Sequence, residues 1–536
     1  MSPLLHAALV AGLCVLAVFP ANLLIMCALS ARPIRRPRAA QSDDRSLPAV
    51  CVQIPAYNER LVVRRAIAAA GGLDWPRDRL QIQILDDSTD DTTDLARAEV
   101  RRLAAQGLDI RLIHRQDRRG YKAGALAAGL ARTSASFVAV LDADFVPPPS
   151  FLRECMATLL ADSGLGFVQA RWGHLNRRDN LLTRTQALVL DAHFVVEQAA
   201  RDAYGLVLPF NGTCGVWRRD AIADAGGWQH ETLTEDLDLS VRAHLAGWRA
   251  AFRPEIVVPG ELPATLTAWR GQQSRWTKGY AQCARKLCLA IWRGDLTFRA
   301  KLAATVMIGS VATWPVTALV LAGTIGLAAT DGGLGIGGAV AAVGIATGTL
   351  GLAATSAALV AAGLRTEATG VGPALVLLPL VFCLNAGLLV ANCRAVAEGL
   401  LGRPSAFVRT PKRGGEVASS YGGGRRDSGI PELLLAIAAA GVMASDPGSC
   451  SPLLLPLAGL GLSGALLAAG WVRRRGLSEQ AREGRRPGAS RSAAYPPTAS
   501  GRHQERADNS PNELAGAEVV GPSRAARASR RDGPEM

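Results

Sequence analysis

Apolar positions along this 536-residue chain are gathered into blocks. One long run covers 4–30, and several more fill 302–472, whereas 41–299 mixes polar and apolar residues as a water-soluble domain does. The first run exceeds the roughly 20 residues that cross a bilayer, and it lacks the basic start and short apolar stretch of a cleaved signal. Directly after it stand Arg32, Arg35, Arg36 and Arg38, an arginine excess of the kind found on the cytoplasmic side. The second block divides into runs at 302–329, 334–364, 371–400, 430–444 and 453–472, with Arg473, Arg474 and Arg475 behind them. The run 371–400 carries Asn385, Asn392, Arg394 and Glu398 and is expected to lie partly at the interface. In all, about five crossings are expected.

Within the soluble stretch the period changes to strand, turn, helix, repeated. The strand AVCVQIPAYNE (49–59) leads into an Arg/Ala-rich helix, QIQILDDSTDDT (81–92) ends in acids and opens a second, and DIRLIHR (109–115) precedes a helix at 120–132. The run VAVLDADFV (138–146) then ends at Pro147, Pro148 and Pro149. This alternation predicts an α/β domain with a mostly parallel sheet and helices on both faces. Its polar clusters fall at strand C-termini, the edge where such sheets bind ligands.

Composition sharpens this picture. A net charge of +14 fits arginines that flank spans and fill the tail, and neither zinc-finger spacing nor an aromatic RNA platform is present, so a nucleic-acid partner is not expected. The 10 cysteines are scattered singly, which predicts no disulfide framework and no zinc site. The tail 473–536 is rich in Arg, Ser, Pro, Gly and Glu and is expected to be disordered.

The candidate chemistry lies at the strand ends. Asp142 and Asp144, one residue apart, can hold a hard divalent cation through oxygen while the cation neutralises a diphosphate. Pro55, Tyr57 and Glu59 stand at a strand-to-helix junction whose N–H groups face a ligand, and Asp86 and Asp87 stand at the next; both clusters suit ordinary helix capping as well. Lys122, between Gly120 and Gly124, can reach a phosphate as a point charge. The run TEDLDLS (234–240) puts Glu235 and Asp236 at another helix start. Asp191 and His193, two apart on a helix, point to different faces, so a core or surface role is expected for them and no metal pair. Gln272, Gln273, Arg275, Trp276 and Lys278, with Trp269 and Trp292 nearby, read as an amphipathic helix at the membrane surface.

PAYNE, DDS, GYKAG, DAD, FNGT, TED and QQSRW, in this order, resemble the membrane-bound family-2 glycosyltransferases of the cellulose-synthase superfamily. The stretch 53–286 looks like the plant cellulose-synthase-like A enzymes (glucomannan 4-beta-mannosyltransferases) and their bacterial relatives. The resemblance implies a GT-A domain at 49–299, set between an anchor (1–31) with a basic linker (32–48) and a C-terminal membrane region (300–472). It further implies that Tyr57, Glu59 and Asp87 hold the nucleoside, Lys122 meets the diphosphate, and Asp142 and Asp144 organise the ribose end and a Mg²⁺ or Mn²⁺ ion. Asp236 would be the general base. Phe210, Asn211, Gly212, Glu235, Gln272, Arg275 and Trp276 would form the acceptor side, with Trp276 as a flat platform for a sugar ring. Phe407, Thr410 and Lys412, within a loop at 403–415, resemble a gate that closes over bound nucleotide. One departure stands out, since Lys278 and Tyr280 occupy positions where the plant proteins have Cys and Pro.

The expected activity is an inverting, metal-dependent transfer of hexose from GDP-mannose or UDP-glucose to a growing β-linked glycan, processive and coupled to secretion. The expected partners are the nucleotide sugar, a glycan or lipid acceptor and the inner membrane, with the catalytic domain in the cytosol. Two alternatives remain open, a single transfer to a membrane lipid and a catalytically dead polysaccharide-binding membrane protein.

Overall fold

The computed structural model describes residues 2–32, 44–330, 338–366, 370–405, 409–412 and 414, with 437 and 461 as isolated positions. The expected spans at 430–444 and 453–472, the tail 473–536, most of the linker 32–48 and the gate residue Phe407 lie outside the described residues.

Seven strands form one sheet: β1 (Val50–Ala56), β2 (Leu80–Asp86), β3 (Asp109–His114), β4 (Phe137–Val140), β5 (Leu165–His174), β6 (Gly215–Arg218) and β7 (Arg249–Gly260). Their order is β3-β2-β1-β4-β6-β5-β7. The pairs β1/β2, β1/β4, β2/β3 and β5/β7 are parallel, and β6 runs antiparallel between β4 and β5. β1 and β4 are buried on both faces, which is why they read as mostly apolar runs, and the one buried amide in β1, Gln53, is paired with Gln83 at 3.0 Å.

Period-two alternation along β4 feeds two cores. Phe137, Ala139 and Leu141 pack with Val63 and Ile67 of the helix Val63–Gly71. Val138 and Val140 pack with Leu126 of the helix Tyr121–Leu130 and with Trp217. At the sheet edge, β3 is exposed and carries the pair Arg111 and Asp109, 3.0 Å apart, charges that discourage edge-to-edge pairing.

From β1 the chain winds outward through β2 and β3, then returns to β4 on the other side. The reversal leaves a crevice at the C-terminal ends of β1 and β4, where side chains from neither half cover the edge. The Pro55–Glu59 and Asp142–Asp144 segments flank that crevice.

The 138–146 run is shorter as a strand than its composition predicts. β4 stops at Val140, because Phe145 N bonds back to Asp142 O and Asp142 N bonds to Thr213 Oγ1 (2.8 Å). Both aspartates therefore sit in a turn beyond the strand tip.

Among the described residues, three helices are long and apolar enough to cross a membrane, Pro3–Ser30, Phe298–Leu327 and Gly338–Arg365. The first packs along the last, and Thr347 Oγ1 donates to Leu13 O. The run 371–400 is split into Val371–Ala386 and Leu389–Leu400 by a bend of 51°. Polar residues explain the split: Asn392 is fully buried, and Lys278 Nζ meets Glu398 Oε2 at 3.0 Å. These contacts draw the second half onto the helix Leu266–Arg293, which carries QQSRW.

Candidate active site

A cleft of about 480 Å³ opens at the crevice. Of the residues singled out from the sequence, Pro55, Tyr57, Glu59, Asp87, Lys122, Asp142, Asp144, Phe210, Asn211, Gly212, Glu235, Asp236, Gln272, Arg275, Trp276, Thr410 and Lys412 all line it. Asp87, Asp144 and Asp236 thus face one common space although 149 residues separate the first from the last (236 minus 87).

Asp86 does not belong to this set. It is fully buried and accepts from Ser88 N (3.0 Å) and Thr93 Oγ1 (2.6 Å), with His114 Nδ1 at 2.8 Å. Its role in the structure is to fix the turn that projects Asp87, because a carboxylate so enclosed has no oxygen left for a ligand. Asp87 is held in turn by Arg115, through Nε at 2.7 Å and Nη2 at 2.6 Å. Beside it the Arg118 guanidinium lies over the Tyr57 ring, 3.2 Å from its centroid. A flat ring, a planar cation and a fixed acid make this end suited to a nucleoside.

Lys122 does not stand free for a phosphate. Its ammonium is 2.7 Å from Asp142 Oδ1, 3.7 Å from Glu235 Oε1 and donates to Gly212 O at 2.9 Å. Burial works to lower its pKa, yet Asp142 and Glu235 outweigh burial and hold it above the usual lysine range. Glu235 and Asp236 open the helix Glu235–Leu245. Burial first, and the Glu235 charge second, push the Asp236 carboxyl up to about 7.

Gly212 has a positive φ of 80°, and a Cβ there would stand 2.8 Å from Asp236 Oδ2 and 3.4 Å from Lys122 Nζ. Only glycine lets the FNGT backbone approach the acid this closely.

On the opposite wall Asp144 Oδ2 accepts from Glu261 N (3.1 Å) and from Lys412 Nζ (2.6 Å). Arg409 Nη1 meets Glu59 Oε2 at 2.9 Å, and Arg275 Nη2 donates to Thr410 Oγ1 at 3.2 Å. Burial pushes the Glu59 carboxyl up to about 8, with Arg409 opposing it, while burial brings the Arg275 guanidinium down to about 10. The segment 409–412 is therefore seated on both the Glu59 wall and the Asp144 wall of the cleft.

Among the described residues the carboxylate contacts of Asp142 fall on Oδ1 and those of Asp144 on Oδ2, which leaves one carboxylate oxygen of each toward the cleft, and no cluster of three or more metal-ligating side chains occurs there. Two hard oxygens without a protein cage fit a Mg²⁺ or Mn²⁺ ion that completes its shell with phosphates and water.

The sequence reading missed Arg65, Glu261, Arg409 and His193. Arg65 Nη2 bonds Glu261 Oε1 at 2.8 Å beneath Asp144, a contact across 196 residues that no local pattern signals. Asp191 and His193 do diverge as their spacing requires. Asp191 is buried against Arg177 (2.5 Å), and His193 lines the cleft. The separation was legible from helical period; which of the two faces was functional was not.

Residues 48–279 match the family described as "Glycosyltransferase like family 2". They are a family-2 glycosyltransferase domain. The domain has the GT-A fold, with its acids at the C-terminal sheet edge. Glucomannan 4-beta-mannosyltransferase 2 of Arabidopsis thaliana is 46% identical over 252 residues, 46% of this chain and 47% of that protein. Glucomannan 4-beta-mannosyltransferase 1 of Oryza sativa subsp. japonica is 44% identical over 276 residues, 49% of this chain and 53% of that protein. The chain thus spans about half the length of the curated relatives it matches. Among solved structures, a mannosyltransferase from Pyrobaculum calidifontis in complex with GDP-Man and Mn²⁺ is 23% identical with a TM-score of 0.49, over 67% of this chain and 98% of that one. In this family-2 glycosyltransferase domain every acid of the DAD and TED segments lines the cleft, and Lys122 and Lys412 each hold one oxygen, of Asp142 and of Asp144 respectively.

Proposed function

We propose that this chain is an inverting, metal-dependent β-hexosyltransferase that extends a glycan at the membrane, with mannose from GDP-mannose favoured over glucose from UDP-glucose. The preference for mannose rests on the glucomannan 4-beta-mannosyltransferases that it resembles. The observation that carries the activity is the placement of Asp236 in the same cleft as Asp142 and Asp144, with its pKa raised toward neutrality.

A carboxylate with that pKa can take a proton near physiological pH. In the proposed step an acceptor hydroxyl oxygen attacks C1 of the donor hexose, the bond from C1 to the diphosphate oxygen breaks, and the hydroxyl proton passes to Asp236. One displacement inverts C1, so an α-linked donor gives a β-linkage. A Mg²⁺ or Mn²⁺ ion held by Asp142 and Asp144 would supply charge neutralisation for the leaving diphosphate. Tyr57, Arg118 and Asp87 orient the nucleoside, Glu59 shapes the wall beneath it, and Trp276 offers an apolar face to the acceptor ring.

Continued growth of the product is supported by the far end of the cleft. Beyond Trp276 and Tyr280 it is lined by Ser310, Val311 and Trp314, where the 3-10 turn Ser310–Ala312 interrupts a helix pair of membrane length. A lengthening chain would leave the site against that span, and the domain would draw its donor from the cytosol.

Membranes carrying the chain, offered each labelled nucleotide sugar with Mn²⁺ or Mg²⁺, test this reading. The expected product is polymeric and is digested by β-mannanase. Label confined to a lipid extract as one sugar selects single transfer instead, and Asp236→Asn with undiminished incorporation removes the mechanism.

A further inference from the structure

The helix Leu181–Ala192 passes into a single π turn, His193–Gln198, and resumes as Ala199–Ala203. One-turn π insertions have poorer hydrogen-bond geometry and occur often at functional sites. The side chains show what this one accomplishes. On an α-helix, residues five apart stand about 140° from each other, so His193 and Gln198 would face different ways. In the π turn both reach the same amide: Gln198 Nε2 donates to Asn211 Oδ1 at 2.6 Å, and His193 Nε2 lies 3.1 Å from Asn211 Nδ2.

A backbone carbonyl fixes every donor and acceptor in this group. Pro209 O can only accept, and Gln198 Nε2 lies 3.0 Å from it. The nitrogen of the Gln198 amide therefore faces both Pro209 and Asn211, and the Asn211 atom that meets it must be oxygen. Asn211 Nδ2 then faces His193, whose Nε2 has to be the unprotonated acceptor. The ring proton belongs on Nδ1, the side on which Glu197 Oε1 stands at 3.6 Å. One Asn211 N–H is spent on His193, and the other has no partner among the described residues. Asn211 lines the cleft immediately before Gly212, the residue against the Asp236 carboxylate.

We propose that His193 and Gln198 are positioning residues that lock the Asn211 amide with its oxygen turned away and one N–H presented to a hydroxyl oxygen of the acceptor hexose. The proposal rests on the transferase reading given above. With both faces of the amide assigned, Asn211 can donate to the substrate and cannot accept from it. Rotation of the amide would set an oxygen where that N–H stands, so the lock also keeps a second acceptor from replacing the donor.

The test uses the full chain in membranes, with labelled GDP-mannose or UDP-glucose as donor and β-1,4-mannotetraose or cellotetraose as added acceptor. His193→Ala is expected to raise the acceptor KM roughly three- to tenfold while the donor KM changes less. His193→Gln supplies a side-chain oxygen that can accept from Asn211, and it is expected to recover most of that loss. Asn211→Asp keeps an oxygen for Gln198 but has no N–H, and it is expected to show a defect at least as large as that of His193→Ala. Equal rises in donor and acceptor KM, or no recovery with glutamine, assign His193 a purely structural role and overturn the proposal. If His193→Ala does not fold, an acceptor KM unchanged in Asn211→Asp overturns it equally. A wild-type chain that transfers neither sugar overturns the transferase reading itself, whereas wild-type transfer with unaltered variants overturns only the positioning.

Discussion

Lys122 Nζ stands 2.7 Å from Asp142 Oδ1, and the same ammonium lies 3.7 Å from Glu235 Oε1. One cation thereby joins the turn after β4 to the acid pair that opens the helix Glu235–Leu245. Both groups are largely enclosed, with side-chain exposures of 16% for Lys122 and 10% for Glu235. Removing the lysine would leave Asp142, Glu235 and Asp236 to repel one another in a site with little solvent.

Lys122→Met is expected to reduce transfer at least about a hundredfold, the scale seen when one preorganised charge leaves an active site. The residual activity should also move along the pH axis. Lys122 lowers the Asp236 pKa, so its loss raises that pKa, and the acidic limb of the rate profile should shift to higher pH. A rate profile that keeps its wild-type position would show that Asp236 is not the titrating base.

Glu235→Gln should act in the opposite direction. After burial, the Glu235 charge is what raises the Asp236 carboxyl most. A base works only when deprotonated, so in the wild type the rate should climb as pH rises through about 7. Neutralising Glu235 lowers the Asp236 pKa and should move that climb to lower pH. The pH dependence of kcat/KM in the two variants, measured side by side, gives two shifts of opposite sign.

Gly212 combines a positive φ with a missing Cβ. Gly212→Ala would cost about 1–2 kcal/mol in backbone conformation and would place a methyl group 2.8 Å from Asp236 Oδ2. The melting temperature should fall by only roughly 2–6 °C, while kcat should fall far more steeply. Thermal unfolding and initial rates on the same preparation separate the two effects, and a proportionate loss in both would deny the glycine its place at the reacting atoms.

How much of this was legible beforehand depended on distance along the chain. The parallel sheet followed from alternation, and the convergence of Asp87 and Asp144 followed from acids at successive strand ends, whereas Asp236, at a helix start, was joined to them only by the family resemblance. Partners were less accessible. Asp86 and Asp87 look alike in sequence, but only Asp86 has its oxygens taken by Thr93, Ser88 and His114. Lys122 reads as a free phosphate ligand because Asp142 and Glu235 reach it only after the chain has folded. The π turn at His193–Gln198 was invisible for a different reason, since its residues obey no period that an α-helical template recognises.

Lys412 and a divalent cation would bring two positive charges to one carboxylate, because the ammonium already lies 2.6 Å from Asp144 Oδ2 and a cation on the other oxygen would repel it. Adding Mn²⁺ should loosen the 409–412 segment, and tryptic cleavage after Arg409 and Lys412 should accelerate. Asp144→Asn should cleave quickly with or without the ion. Cleavage that is indifferent to Mn²⁺ in the wild-type chain would show that the ion and the lysine do not share this carboxylate.

Lys278 has a partner in Glu398, 3.0 Å away. Side-chain exposures of 5% and 21% make this an enclosed pair, and Arg394 also holds Glu398 at 2.9 Å. The pair connects the QQSRW helix to the helix that precedes Thr410 and Lys412, so its loss should disturb the cleft as well as stability. Lys278→Glu alone should lower the melting temperature and raise the acceptor KM, since like charges would then meet across the two helices. The double variant Lys278→Glu with Glu398→Lys restores opposite charges and should recover much of both. Recovery of stability without recovery of KM would confine the pair to holding the helices together, and would place control of the acceptor end with Arg275 and Trp276 alone.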